Sequence, residues 1–169
     1  MVQGSLEDDL AIEKAVKNGA SLFVSFAGPA MVKATGTPLA DGYERLLSRI
    51  VSEGIKRAII LSTPSFQSPS DKPSYFWSFS RWFMINFNSY AYNEVIKIGD
   101  HVSSLAGSIE YTLFRVGRLT NDPSGPVNVS YLGSGQDKLS ISRASVVTWV
   151  LEEIKEDRWV GKAPYICNG

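Results

Sequence analysis

Cysteine and histidine are nearly absent: Cys167 and His101 are the only examples in 169 residues. One thiol closes no internal disulfide, and one thiol with one imidazole makes no zinc cluster. Neither a stapled secreted scaffold nor a structural metal site is expected. An excess of one charge is missing too, because 17 basic and 17 acidic residues cancel. That removes the electrostatic argument for nucleic acid or an anionic membrane as the main partner, and a small or uncharged ligand fits better. No run of about 18 residues is free of polar interruptions, so a membrane span is not expected. The first 20 residues hold Glu7, Asp8, Asp9 and Glu13, where a secretory signal needs a basic start and an apolar run. A reducing, cytoplasmic setting is the expectation, with Asn128-Val129-Ser130 an unused glycosylation triplet. The motif GxGxxG is also lacking. Gly133-Ser134-Gly135 stands without the strand-turn-helix context that would give it a phosphate-binding role.

What is present reads as one α/β domain over residues 1–169. With 44% apolar and 20% charged residues the chain can build a sizeable core. Val2 to Gly4 resembles the end of a strand, and Ser5 can cap a helix carrying Leu6, Leu10, Ile12, Ala15 and Val16 on one side, stopped by Asn18-Gly19. Leu22 to Phe26 is a short apolar run of the kind buried in a parallel sheet, with a sharp exit through Ala27-Gly28-Pro29. Pro38 can open a helix whose residues Tyr43, Leu46, Leu47, Ile50 and Val51 recur at helical spacing until Gly54. A strand, Ala58 to Leu61, follows and ends at the polar tip Ser62-Thr63-Pro64-Ser65. Such tips line the ligand crevice of parallel α/β sheets.

Residues 75 to 92 hold nine of the 19 aromatics, inside a segment of about 66–90 that reads as an insertion. Phe76, Phe79, Phe83 and Phe87 share a helical face. A lid over an apolar substrate or an oligomer contact suits the stretch better than a membrane-surface helix, because a lysine-rich polar face is lacking; plain packing of an inserted helix on the sheet is the equal alternative. A helix from about Tyr90 to Leu105, a strand from Tyr111 to Val116, an exit through Gly117-Arg118-Leu119-Thr120 and a short strand at Val127 to Leu132 come next. Ser142 caps a helix with Val146, Val147, Val150, Leu151 and Ile154 inward, and Tyr165 to Cys167 adds a last strand. The alternation of strands and helices predicts a Rossmann-like, largely parallel sheet between helices.

Four segments, GSLEDDLAIEKAVKNGASLFVSFAGP, GTPLADGYERLLSRIVSEGIKRAIILSTPS, EYTLFRVGRLTNDP and KLSISRASVVTWVLEEIKEDRWVGKAPYICNG, together resemble the atypical short-chain dehydrogenase/reductases of the NmrA-like, isoflavone-reductase-like and flavin-reductase-like group. The resemblance implies an NAD(P)-dependent reductase transferring hydride to a small apolar or aromatic carbonyl or enone. It also implies an N-terminally shortened form: the group begins with a strand and a Gly-rich turn for the pyrophosphate, which nothing before Met1 supplies here. In the group's strand order, the run Leu22 to Phe26 then becomes an unpaired edge open to a second chain. A homodimer through that edge or through the aromatic segment is the corresponding partner expectation.

By the same resemblance Phe26, Ala27, Gly28 and Pro29 flank the adenosine side of a bound NADP or NAD. Ser62, Thr63, Val116, Gly117 and Arg118 flank its nicotinamide side. Ser62 and Thr63 offer hydroxyls to developing negative charge. Lys97, thirteen positions before Glu110, matches the general-acid/base lysine. Tyr92 is five residues from Lys97, so a Tyr-x-x-x-Lys dyad is not formed; it either packs or assists. His101 shares a helix face with Lys97. Two other functions remain open: a non-catalytic homologue that binds no dinucleotide and works through protein association, and a cofactor-free enzyme using the same cleft.

Overall fold

The computed structural model describes residues 2–17, 19–29 and 35–169; Asn18, half of the predicted helix stop, lies outside them. Its elements are α1 (Asp9–Val16), β1 (Leu22–Ser25), α2 (Pro38–Ser52), β2 (Arg57–Ser62), α3 (Tyr75–Phe87), α4 (Ser89–Ser104), β3 (Glu110–Val116), β4 (Arg118–Thr120), β5 (Val127–Ser130), β6 (Ser140–Ser142), α5 (Arg143–Glu156) and β7 (Tyr165–Asn168). The main sheet runs β1-β2-β3-β7-β5. Its first three pairings are parallel and β5 closes it antiparallel to β7. This is the Rossmann-like, largely parallel α/β architecture that the strand-helix alternation predicts.

Alternation along the strands divides the core in two. Ala58, Ile60 and Leu113 point to the side of α1, α2 and α4 and pack with Tyr43, Leu47, Ile50, Ile98 and Val102. Ile59, Phe114, Val116 and Ile166 point to the other side, against Val146, Trp149 and Val150 of α5. Because both faces of β2 are largely covered, Ala58 to Leu61 reads as a continuous apolar run. No helix among the described residues is long and apolar enough to cross a membrane.

Three local expectations are corrected. Val2 to Gly4 forms no strand; Gly4 instead lies so close to α1 that a Cβ there would stand 2.3 Å from Ala11 Cβ. Asp8, not Ser5, caps α1, accepting the Leu10 and Ala11 amides, and Leu10 is exposed. On α5, Val147 and Leu151 face solvent, because the inward stripe is Val146, Trp149, Val150 and Glu153, which meets Ile59, Phe114 and Ile166 and the Arg57 guanidinium. On the same face Leu22, Val24 and Leu61 stay half-buried. Among the described residues β1 pairs only with β2, so it is a sheet edge, as expected.

Candidate active site

Parallel pairing puts the carboxyl ends of β1, β2 and β3 along one edge of the sheet. Ser25 is level with Ile60, and Ser62 with Arg115. The exits Phe26–Pro29, Thr63–Ser65 and Gly117–Arg118 therefore leave from the same side. The crossover helices α2 and α4 begin there too, since each returns the chain to the opposite edge.

At the β1 exit, Tyr43 is fully buried. Its hydroxyl lies 2.5 Å from Ser25 Oγ and donates to Ala27 O at 3.4 Å; burial raises its pKa above the usual phenol value. Phe26 is half exposed and meets Phe114 edge-on. Among the described residues nothing lies within 4 Å of a Cβ placed on Gly28. At the β2 exit Ser62 is buried, and Thr63 closes a turn by accepting the Ser65 amide on its hydroxyl and the Phe66 amide on its carbonyl. At the β3 exit Val116 is buried and Arg118 is exposed. Gly117 is there for packing: a Cβ would stand 2.2 Å from Leu139 O and 2.7 Å from Tyr165 Oη.

The tip loop is held by residues that sequence reasoning did not single out. Arg115 is fully buried and grips Asp71 through both terminal nitrogens, at 2.6 and 2.7 Å, while also donating to Phe66 O. Asp71 in turn accepts the Ser68 and Leu132 amides. Phe66 lies on α4 at Gly99, where a Cβ would come within 2.1 Å of its ring.

Lys97 lies on α4 and donates from Nζ to Thr37 Oγ1 at 2.7 Å, just before α2. Three residues earlier the buried Glu94 carboxylate accepts the Leu39 and Ala40 amides. It thus closes the N-terminus of α2, a role that Thr37 does not fill. Tyr90, Glu94 and Lys97 share one face of α4 at helical spacing, and burial together with the Glu94 carboxylate raises the pKa of the Tyr90 phenol. Lys97, Thr37, Tyr90, Asn93, Asn86 and Phe87 line a cavity of about 630 Å³. Among the described residues Lys97 hydrogen-bonds neither Ser62 nor Thr63. Tyr92 is half-buried outside the cavity lining, and His101 turns to Glu44 at 3.8 Å. The signal for this site was the spacing 90-94-97. In the sequence Tyr90 is masked by its membership of the aromatic cluster 75–92.

Every helix N-terminus among the described residues carries a side-chain acceptor from the chain itself. Asp8, Ser74, Asn88 and Ser142 serve α1, α3, α4 and α5, and Glu94 serves α2.

Residues 1–157 match a family described as NAD(P)H-binding. No curated protein matches the chain. Among solved structures, a wide-type short-chain dehydrogenase/reductase from Veillonella parvula, in complex with NADP, superposes with a TM-score of 0.74 at 17% identity, over 99% of this chain and 71% of that one. An oxidoreductase from Lactococcus lactis gives 0.69 at 19% identity, over 99% and 71%. ChuY, an anaerobilin reductase from Escherichia coli, gives 0.69 at 14% identity, over 98% and 73%. At such identities these likenesses establish the fold.

Proposed function

The chain belongs to the NAD(P)H-binding family, and on that premise we propose that it is an NAD(P)-dependent reductase delivering hydride to a small apolar or aromatic carbonyl or enone. The observation that carries the reading is the Lys97 ammonium, fixed by Thr37 at the start of α2 in a cavity of about 630 Å³, whose lining among the described residues does not include Ser62 or Thr63. When bound, the dinucleotide supplies the hydride. The chain supplies the proton and the orientation. Thr63 Oγ1 accepts the Ser65 amide and keeps its own proton to donate to a substrate oxygen. Lys97 Nζ releases a proton to that oxygen as charge develops. Tyr92 is the subsidiary candidate, behind Lys97.

The strand exits suit the two ends of NADP or NAD. Phe26, Ala27, Gly28 and Pro29 offer a half-exposed ring and open backbone to the adenosine, and Ser62, Thr63, Val116, Gly117 and Arg118 border the nicotinamide. The pyrophosphate is served less well by the described residues. Glu94 occupies the N-terminus of α2 with a carboxylate, which opposes a second anion there.

Titrating NADPH and NADH while following nicotinamide fluorescence and the thermal midpoint tests the proposal. A ligand at a hundred times its Kd adds about 2.7 kcal/mol of stability. No shift at millimolar cofactor overturns the reading. If cofactor binds, Lys97→Ala is expected to lower turnover while leaving cofactor affinity nearly unchanged, and equal activity would remove Lys97 from the mechanism. The unpaired edge β1 favours a second reading, a homologue that works by association through that strand. Sedimentation as a monomer with tight NADPH binding would decide against it.

A further inference from the structure

Helix α3 is built inside out. Trp77 is its only buried residue, and Ser80, Arg81 and Met84 complete the side turned to the body, so the sole charge of the helix faces inward and is half covered. Outward, from Phe87 through Phe83, Phe79 and Tyr75 to Trp82 and Ile85, every one of these side chains is exposed, by 45% to 99%. At 3.6 residues per turn these side chains span about 200° of the helix circumference. With 150–250 Å² per large aromatic they present on the order of 800 Å² of apolar surface, more than the largest patch of a typical monomer. The rings are already gathered: Phe79 stacks on Trp82 and Phe83 on Phe87, with centroids 5.7 and 4.6 Å apart.

From this geometry we infer that α3 docks on the interface of an electrically neutral lipid bilayer. Three observations select that occupant. First, the exposed arc is too wide for a second helix, because two convex helices meet along a stripe and leave most of a 200° arc in water. A headgroup region that a helix enters by about 5–10 Å wraps the whole arc. Second, residues 73–93 contain one charge, Arg81, and no carboxylate; with a net charge of zero over the chain, the contact needs no anionic lipid. Third, the aromatics are mixed with Ser78, Asn86 and Ser89, a composition of rings and uncharged polar groups that suits the bilayer-water boundary. The lack of lysines argues against a charge-driven surface helix, and a neutral bilayer does not require them. A lid role fits less well, because the arc points away from the body and, among the described residues, Phe87 is the one aromatic of α3 that lines the cavity, beside Asn86. Trp77 anchors the helix by hydrogen-bonding its indole to Asp137 and by lying edge-on to Tyr165, so adhesion would hold the cavity mouth beside the lipid.

The test uses the full chain with vesicles of pure phosphatidylcholine and no dinucleotide, so its outcome is independent of the reductase reading. Co-sedimentation is expected at low and high salt alike, with a blue shift of tryptophan emission and quenching by bromine placed in the acyl chains. The variant Phe79→Gln, Trp82→Gln, Phe83→Gln changes only exposed side chains and should lose binding at least tenfold with an unchanged thermal midpoint. Leu151→Gln, an exposed apolar site on α5, should bind as before. Three results would overturn the proposal: no binding to neutral vesicles, binding that requires anionic lipid and disappears with salt, or a dimer in sedimentation that the triple variant dissociates while vesicles are ignored.

Discussion

Arg115 and Asp71 show how one buried ion pair can govern a site it does not touch. The guanidinium is fully buried and Asp71 is 10% exposed, so neither charge has water to fall back on if the other is removed. Leaving one such charge alone costs about 3–5 kcal/mol. Arg115→Met and Asp71→Asn are each expected to lower stability by that order in urea denaturation. The double variant should recover part of the loss, and a strictly additive double loss would show that the two residues are not coupled. Cys167 makes the opposite case. It is buried, its thiol donates to Gln136 O, and burial raises its pKa. Reaction with an aromatic disulfide reagent should therefore follow global unfolding; fast labelling of the native protein would contradict this.

At the scale of elements, α3 depends on a short list of contacts. Burial pushes the Asp137 carboxyl up, but the Gly133 and Gly135 amides and the Trp77 indole outweigh it and hold the group below the usual carboxylate range. A lowered folded pKa stabilises above the unfolded value of about 3.9 and is lost as pH falls through the folded one. The thermal midpoint of the native protein should therefore fall more steeply below about pH 4 than that of Asp137→Asn; parallel curves would clear Asp137 of the role. The strands and crossover helices were legible because apolar runs and helical spacing express burial directly. Four features were not. Val147 and Leu151 look like core on spacing alone, since a helical pattern cannot say how far a sheet extends beneath it. Glu94, Asp71 and Arg115 act across 54, 61 and 44 residues, separations at which a single sequence carries no pairing signal. In the short parallel pair β4-β6, Arg118 to Thr120 reads as a loop exit and Ser140 to Ser142 shows no strand pattern, because three-residue strands have no periodicity to detect. The orientation of α3 was hidden because its aromatics would ordinarily be assigned inward.

For the whole molecule, the sheet has two edge strands among the described residues, β1 and β5. β1 offers its outer edge, and the apolar side chains Leu22 and Val24 beside it are half-buried, a combination that invites pairing with another chain. A charged residue on that strand should suppress pairing: Val24→Lys is expected to lower self-association in sedimentation, or aggregation on mild heating, by severalfold, and unchanged behaviour would acquit the edge. The other side is assembled out of chain order. β7 lies between β3 and β5 in the sheet, so β5 has no strand to join until residues 165–168 arrive. During synthesis β1, β2 and β3 can pair in the order they emerge, while β5 waits through about 35 further residues for the strand that will hold it. The nascent chain therefore passes through a stage in which β3, interior in the finished sheet, is an open edge. Chaperone demand should be highest in that interval, before the fold is complete.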